Sequence, residues 1–145
     1  MRAVVQRVRA ARVLVGDETV GAVGPGLCVL LGVAESDDET TAERLAGKVA
    51  RLRIFEDEEG RFDRSLLDTA GQALVVSQFT LLADTSKGNR PSFSAAARPE
   101  RAEPLYEAFC AVLEREGIQV RRGRFGARML LEIENEGPVT VVLDP

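Results

Sequence analysis

The stretch Gly26-Leu27-Cys28-Val29-Leu30-Leu31-Gly32-Val33 constrains this chain more than any other. Its apolar residues do not alternate with polar ones, so it reads as a strand buried on both faces. It is far shorter than the roughly 18 residues that cross a membrane. Something must therefore cover both sides of the sheet that holds it. The chain has 145 residues, the size of one domain. A chain of that length buries roughly 70% of its unfolded surface and needs no disulfide or metal to hold a core. We expect a single domain over residues 1–145.

The rest of the chain supplies the cover. Residues 2–9 alternate, with Val4 and Val8 on one side and Arg7 and Arg9 on the other, as in a half-exposed strand. Residues 12–23, broken by Gly16-Asp17-Glu18, read as a hairpin. Ser36 or Asp37 can cap a helix over about 38–52, with Ala42, Leu45, Ala46, Val49 and Leu52 on one face. Asp57-Glu58-Glu59-Gly60 is a turn, and Ala73 to Leu82 reads as a strand. A second helix starts near Pro99 or Pro104, buries Leu105, Phe109, Val112 and Leu113, and stops at Gly117. The last strands are Ile118–Val120, Met129–Ile133 and Val139–Leu143, with Asn135-Glu136-Gly137-Pro138 as the turn between the final two. This order predicts an α+β fold: a curved, mostly antiparallel sheet or barrel-like core with two packed helices.

Composition narrows the chemistry. The chain has 0 His. That excludes a Ser-His-Asp or Cys-His unit and any His-ligated metal within the chain. Proton transfer near pH 7 falls to a carboxylate, amine, thiol, backbone, water or the substrate. Cys28 and Cys110 read as small buried hydrophobes. No secretory h-region is visible, so a cytoplasmic protein with reduced thiols is expected. The net charge is −4, unevenly spread. Residues 35–68 carry 11 acids and 6 bases, whereas residues 86–128 carry 9 bases and 5 acids. A local basic segment on an acidic protein can meet a polyanion, and it can equally be a set of solvated helix faces.

Three stretches place polar residues where a plain core would not. Ser77-Gln78-Phe79-Thr80 ends an apolar strand, with Gln78 and Thr80 on one face in a period-2 pattern. Thr80 has no His and no nearby Lys to activate it as a nucleophile. Gly137-Pro138 within residues 135–140 reads as a turn, and a cis bond there would make a rigid acceptor. Residues 85–93, with Lys87, Arg90 and Phe93, suit a phosphate and a stacked base, as does Gly123-Arg124-Phe125-Gly126-Ala127-Arg128-Met129. Ordinary surface loops explain these last two equally well.

Taken together, these strings resemble the D-aminoacyl-tRNA deacylases, also called D-tyrosyl-tRNA deacylases. The match includes Met1–Val8, Gly26–Val33, Leu52–Phe55, Ser77–Leu81, Ala83–Phe93, Phe125–Met129 and Gly137–Thr140, in order and nearly end to end. The sequence departs from the family pattern at Glu136, where Asp is frequent. Phe62-Asp63-Arg64 stands in place of a Met-Asn pair, and Arg121-Arg122-Gly123 in place of a Thr-Gly approach.

The resemblance implies a homodimeric editing hydrolase, without cofactor or metal, whose active site lies at the subunit interface. Its substrate would be the 3′ end of D-aminoacyl-tRNA, or glycyl-tRNA mischarged on tRNA-Ala. Ser77, Gln78, Phe79 and Thr80 would form the catalytic strand beside the terminal adenosine. Gly137 and Pro138, as a cis pair reaching in from the partner subunit, would reject L-amino acids. Arg7 would brace that pair, with Phe125, Gly126, Met129, Asn135, Val139 and Thr140 as pocket neighbours and Lys87 and Arg90 as tRNA contacts. The expected chemistry is ester hydrolysis assisted by the substrate's 2′-hydroxyl, with a covalent Thr80 as the alternative. An RNA-binding module without catalysis and a purely structural dimer are the rival readings.

Overall fold

The computed structural model describes residues 1–145. Eight strands and three helices follow one another along the chain. Strand β1 spans Arg2–Val15, β2 Glu18–Val23 and β3 Gly26–Gly32, and helix α1 spans Glu39–Arg51. A small hairpin follows, β4 Phe55–Glu56 and β5 Phe62–Arg64, then the short α2, Leu66–Thr69. Strand β6 (Gln72–Ser77) runs into a 3₁₀ turn, Phe79–Leu82. Helix α3 (Pro99–Arg115), β7 (Gln119–Arg122) and β8 (Leu130–Leu143) complete the chain. The fold is α+β, as expected, with α2 as a third and very short helix.

Six strands form one mixed sheet in the order β2-β1-β3-β6-β7, with β8 along the remaining edge of β1. The pairs β1–β2, β1–β3 and β1–β8 are antiparallel, whereas β3–β6 and β6–β7 are parallel. The parallel pairs follow from connections that pass through α1 and α3, which a reading based on short turns underweights. The sheet curls until β2 meets β7. A Cβ on Gly21 would lie 2.4 Å from the Arg122 carbonyl oxygen, so only glycine lets this nearly closed barrel come together there.

The apolar run in β3 is explained by this closure. Leu27, Val29 and Leu31 join Ala73 and Val75 under α1 and α3, in a cluster of 27 buried residues. Cys28 faces the barrel interior with Leu74, Val76, Val13 and Val23, in a second cluster of 7. Both faces are covered, so period-2 alternation never appears. Burial pushes the Cys28 and Cys110 thiols up to about 12, which leaves them inert.

Several boundaries differ from expectation, each for a local reason. Asp38, rather than Ser36 or Asp37, caps α1 by accepting the Thr41 amide at 2.9 Å. Asp37 is already engaged, accepting the Ala34 amide at 2.7 Å and pairing with the Met1 ammonium. The strand expected over 73–82 stops at Ser77, where the chain turns into 3₁₀ geometry. Arg7 does not face solvent beside Arg9. It continues the inward face of Ala3 and Val5, and the alternation changes phase only after it, at Val8, so only 5% of Arg7 stays exposed.

The largest correction concerns residues 130–143. They form one 14-residue strand, not two strands and a turn. Gln6 pairs with Thr140 and Val8 with Asn135, so Arg7 alone stands opposite Glu136, Gly137, Pro138 and Val139. Those four residues bulge from a continuous ladder. Asn, Gly and Pro are common in turns, but here the long β1 partner holds both flanks in one line.

Candidate functional site

A cavity of about 620 Å³ opens between β6, the start of α3 and the segment 125–129. Val33, Val76 and Leu131 contribute apolar lining, and Ser77, Gln78 and Phe79 line it where β6 ends. Phe125, Gly126 and Met129 also line it, from a segment more than forty residues further along the chain. Phe125 is held by Tyr106, with ring centroids 6.0 Å apart, and the Tyr106 hydroxyl donates to the Val75 carbonyl at 2.6 Å. Phe79 is 54% exposed, a high value for an aromatic ring. Its ring meets that of Phe93 edge-on at 5.1 Å, and both rings line the cavity. Such a pair offers π faces to a planar ligand.

The chemistry of the lining is unusual for a hydrolytic site. Arg98 is its only ionisable side chain. No carboxylate, amine or thiol is present to act as a general base. Polar capacity comes from Ser77, the Gln78 amide and the backbone. The amides of Phe79 and Thr80 open the 3₁₀ turn, where N–H groups have no acceptor within the turn. Thr80 does not line the cavity, and its hydroxyl accepts a hydrogen bond from the Gln78 side-chain amide. Metal-ligating side chains do not gather anywhere in groups of three or more.

The other expected residues assemble elsewhere, around the β8 bulge. The Gly137–Pro138 bond is cis. Asn135 staples the base of the bulge: its side-chain amide donates to the Arg7 carbonyl at 2.9 Å and to the Val139 carbonyl at 3.0 Å. The Thr140 hydroxyl donates to Asn135 Oδ1 at 3.3 Å, and the Gln6 amide donates to the Thr140 hydroxyl at 3.2 Å. Arg7 lies under the bulge, where its Nη2 would be 3.1 Å from a Cβ on Gly137. Gly137 has a φ of +119° and a Cβ there would also be 2.9 Å from Val139 Cγ2, so glycine is required twice over.

The expected residues therefore fall into two groups within one chain. Ser77, Gln78, Phe79, Phe125, Gly126 and Met129 share the cavity. Arg7, Asn135, Gly137, Pro138, Val139 and Thr140 share the bulge, and none of these lines the cavity. Lys87 and Arg90 sit in the loop closed by the Asp84–Ser92 bridge, exposed and without an ion-pair partner. Within the basic segment, Arg122 is paired with Glu107 and Glu114, and Arg124 with Glu18, so those charges are already spent. Sequence reasoning missed Gln6, Glu56 and Arg98. Each belongs to an element whose role depends on contacts made far along the chain.

The model of the family described as D-Tyr-tRNA(Tyr) deacylase matches residues 4–144. A protein from Roseiflexus sp. (strain RS-1), named D-aminoacyl-tRNA deacylase, is 62% identical over 99% of this chain and 93% of its own length. One from Dehalococcoides mccartyi with the same name is 58% identical over 99% of this chain and 94% of its own length. A solved structure called c-Myc DNA Unwinding Element Binding Protein superposes with a TM-score of 0.93 at 43% identity, covering 100% of this chain and 99% of that one. With the match running through both the cavity and the bulge, this chain belongs to the D-Tyr-tRNA(Tyr) deacylase family.

Proposed function

We propose that this protein hydrolyses the ester bond of D-aminoacyl-tRNA, releasing the free amino acid and tRNA. The family supports the reaction. The observation that carries the mechanism is the cavity lining, which joins Ser77–Phe79 with Phe125–Met129 and holds no general base. In this reading the terminal adenosine rests against Phe79 and Phe93. The aminoacyl ester lies near Ser77 and Gln78. Water attacks the ester carbonyl, and the vicinal 2′-hydroxyl of the ribose takes and relays the proton. The Phe79 amide, free at the start of the 3₁₀ turn, donates to the developing oxyanion. The bond to the 3′-oxygen then breaks, and that oxygen leaves protonated.

D- and L-esters contain the same atoms, so size and polarity cannot separate them. Discrimination requires fixing the ammonium and ester and closing one direction to Cβ. A braced backbone does this better than a side chain that can swing away. The bulge at Gly137–Pro138 has that character, and its absence from the cavity of its own chain favours delivery by a second copy in a homodimer. Glycine has no Cβ, so glycyl-tRNA mischarged on tRNA-Ala is a substrate under the same logic. Lys87 and Arg90 are free to meet tRNA phosphates. A cytoplasmic location follows from the tRNA substrate. No helix is long and apolar enough to cross a membrane.

The decisive experiment is deacylation of matched D-Tyr-tRNA and L-Tyr-tRNA, with a 2′-deoxy terminal adenosine as a third arm. Release from the D-substrate alone, lost on the 2′-deoxy form, is the expected pattern. Binding without release would favour an RNA-binding module. Full activity on the 2′-deoxy substrate would defeat the assisted mechanism. The alternative with Thr80 as covalent nucleophile requires Thr80→Ala to abolish turnover, whereas we expect the variant to keep it.

A further inference from the structure

The Arg7 guanidinium joins two parts of the molecule that share no backbone ladder. The β4–β5 hairpin forms its own two-stranded sheet, separate from the six-stranded one. From that side, Nη1 of Arg7 donates to the Ile54 carbonyl at 2.9 Å and Nη2 donates to Glu56 Oε1 at 3.4 Å. The Phe62 ring lies beneath Cζ, with its centroid 5.8 Å away. From the bulge, Glu136 Oε1 comes within 3.7 Å of Nε, and Nη2 would stand 3.1 Å from a Cβ on Gly137. Nε itself is buried without a hydrogen-bond partner.

This geometry is informative because it is loose. A buried guanidinium normally takes a short, two-pronged carboxylate contact, with N–O distances of about 2.7–2.9 Å. Arg7 has two carboxylates instead, one from each side, and neither reaches that range. The buried bond from Nη1 to the Ile54 carbonyl anchors one end of the guanidinium, and Glu56 and Phe62 meet the rest of it from the same side. Phe62 is 53% exposed and leaves the main core untouched, so the core gives no reason for an aromatic ring there. Phe62 and Glu136 meet this one guanidinium, one from the hairpin and one from the bulge.

We propose that Phe62 and Glu56 are positioning residues: the β4–β5 hairpin sets the Arg7 guanidinium against Gly137 and thereby tunes D-over-L discrimination. The inference rests on the reading of the Gly137–Pro138 bulge as the chiral barrier. Neither residue lines the cavity. Each acts by holding Arg7, and Arg7 acts by filling the space beneath Gly137.

The test measures kcat and KM on D-Tyr-tRNA, the rate on L-Tyr-tRNA and Tm for the wild type and four variants. Phe62→Leu keeps apolar bulk without the aromatic face. Glu56→Gln keeps shape without charge. Phe62→Tyr restores the face, and Glu58→Gln alters an exposed carboxylate of the same hairpin. We expect Phe62→Leu and Glu56→Gln each to cut the D/L rate ratio about threefold, the scale of one partly exposed cation–π or charge contact. The change appears in kcat and in L-cleavage, with KM on D-Tyr-tRNA held within about twofold. Phe62→Tyr and Glu58→Gln should match the wild type. An unchanged ratio in both Phe62→Leu and Glu56→Gln overturns the proposal, as does a loss confined to Tm or KM, or a Phe62→Tyr that behaves like Phe62→Leu. If the wild type does not cleave D-Tyr-tRNA, the deacylase reading itself fails and this one with it. An active wild type with indifferent variants defeats this inference alone.

Discussion

The cavity and the bulge are made in opposite ways. The cavity is concave and apolar, and it is assembled from segments that lie far apart in the chain. The bulge is four consecutive residues opposite a single one, stapled by Asn135 and supported by a buried cation. Side chains line the first, so it can adjust to an adenosine or to differing amino acids. Backbone forms the second, pinned at both flanks by the ladder to β1 and by Asn135. In the proposed reading, affinity and handedness have separate structural sources. In the proposed dimer, each copy supplies the cavity for one site and the barrier for the other.

The strongest way to break this contrast is Gly137→Ala. The added Cβ collides with Val139 and Arg7 at a backbone φ of +119°, so the bulge must shift. We expect kcat on D-Tyr-tRNA to fall about 10²-fold, the cost of roughly 1 Å of misplacement, with KM little changed. Retained kcat with retained discrimination would remove the bulge from the reaction.

Phe79→Ala probes the other region and should show the reverse split. Losing one stacked base costs about 1–3 kcal/mol, so KM for aminoacyl-tRNA should rise about tenfold while kcat changes less. Phe93→Ala should show the same direction with a smaller rise. If either variant instead loses kcat at constant KM, affinity and chemistry are not divided as described.

A pH series sharpens the claim that neither region uses a titrating side chain near neutrality. The rate should show no inflection around pH 6.5, where a histidine would titrate. Both thiols are raised from about 9 to about 12 by burial, so iodoacetamide at pH 8 should label neither in the folded protein. The linkage has a definite sign. Below about pH 9 the thiols are neutral in both states. Above it the unfolded chain loses protons first, so stability falls as pH rises toward 12.

The smallest effect belongs to a position outside both regions. Asp38→Ala removes the α1 cap and should lower Tm slightly while kcat, KM and the D/L ratio stay put. The Asp38 carboxyl is held below its ordinary range first by the Thr41 amide and then by the Thr41 hydroxyl. Its contribution is present above the ordinary Asp pKa and is lost as pH falls through the lowered one. The variant should therefore lose less stability on acidification than the wild type.

Much of the fold was legible because local signals agree with the tertiary result. Four of the five residues expected on the α1 face are buried: Ala42, Leu45, Ala46 and Val49. Gly117, with a φ of +96°, follows α3 as expected. The residues of both functional regions were legible too, through their strings. Their arrangement was not. Asn135-Glu136-Gly137-Pro138 has the composition of a hairpin turn, and only fourteen residues of β1 running alongside make it a bulge. Arg7 sits in an alternating pattern that predicts exposure, yet it shares the inward face of Ala3 and Val5 and is buried.

By itself the sequence determined that both faces of β3 would be covered, that no histidine chemistry was available, and which strings carry the family. Tertiary structure alone decided which of those strings meet. It put Ser77–Phe79 with Phe125–Met129, held Gly137–Pro138 apart from them, and set Phe62, Glu56 and Glu136 around one guanidinium. The physical reason is range. Periodicity, capping and turn chemistry act over a few residues, whereas a cavity or a buried charge is made by contacts between residues tens of positions apart.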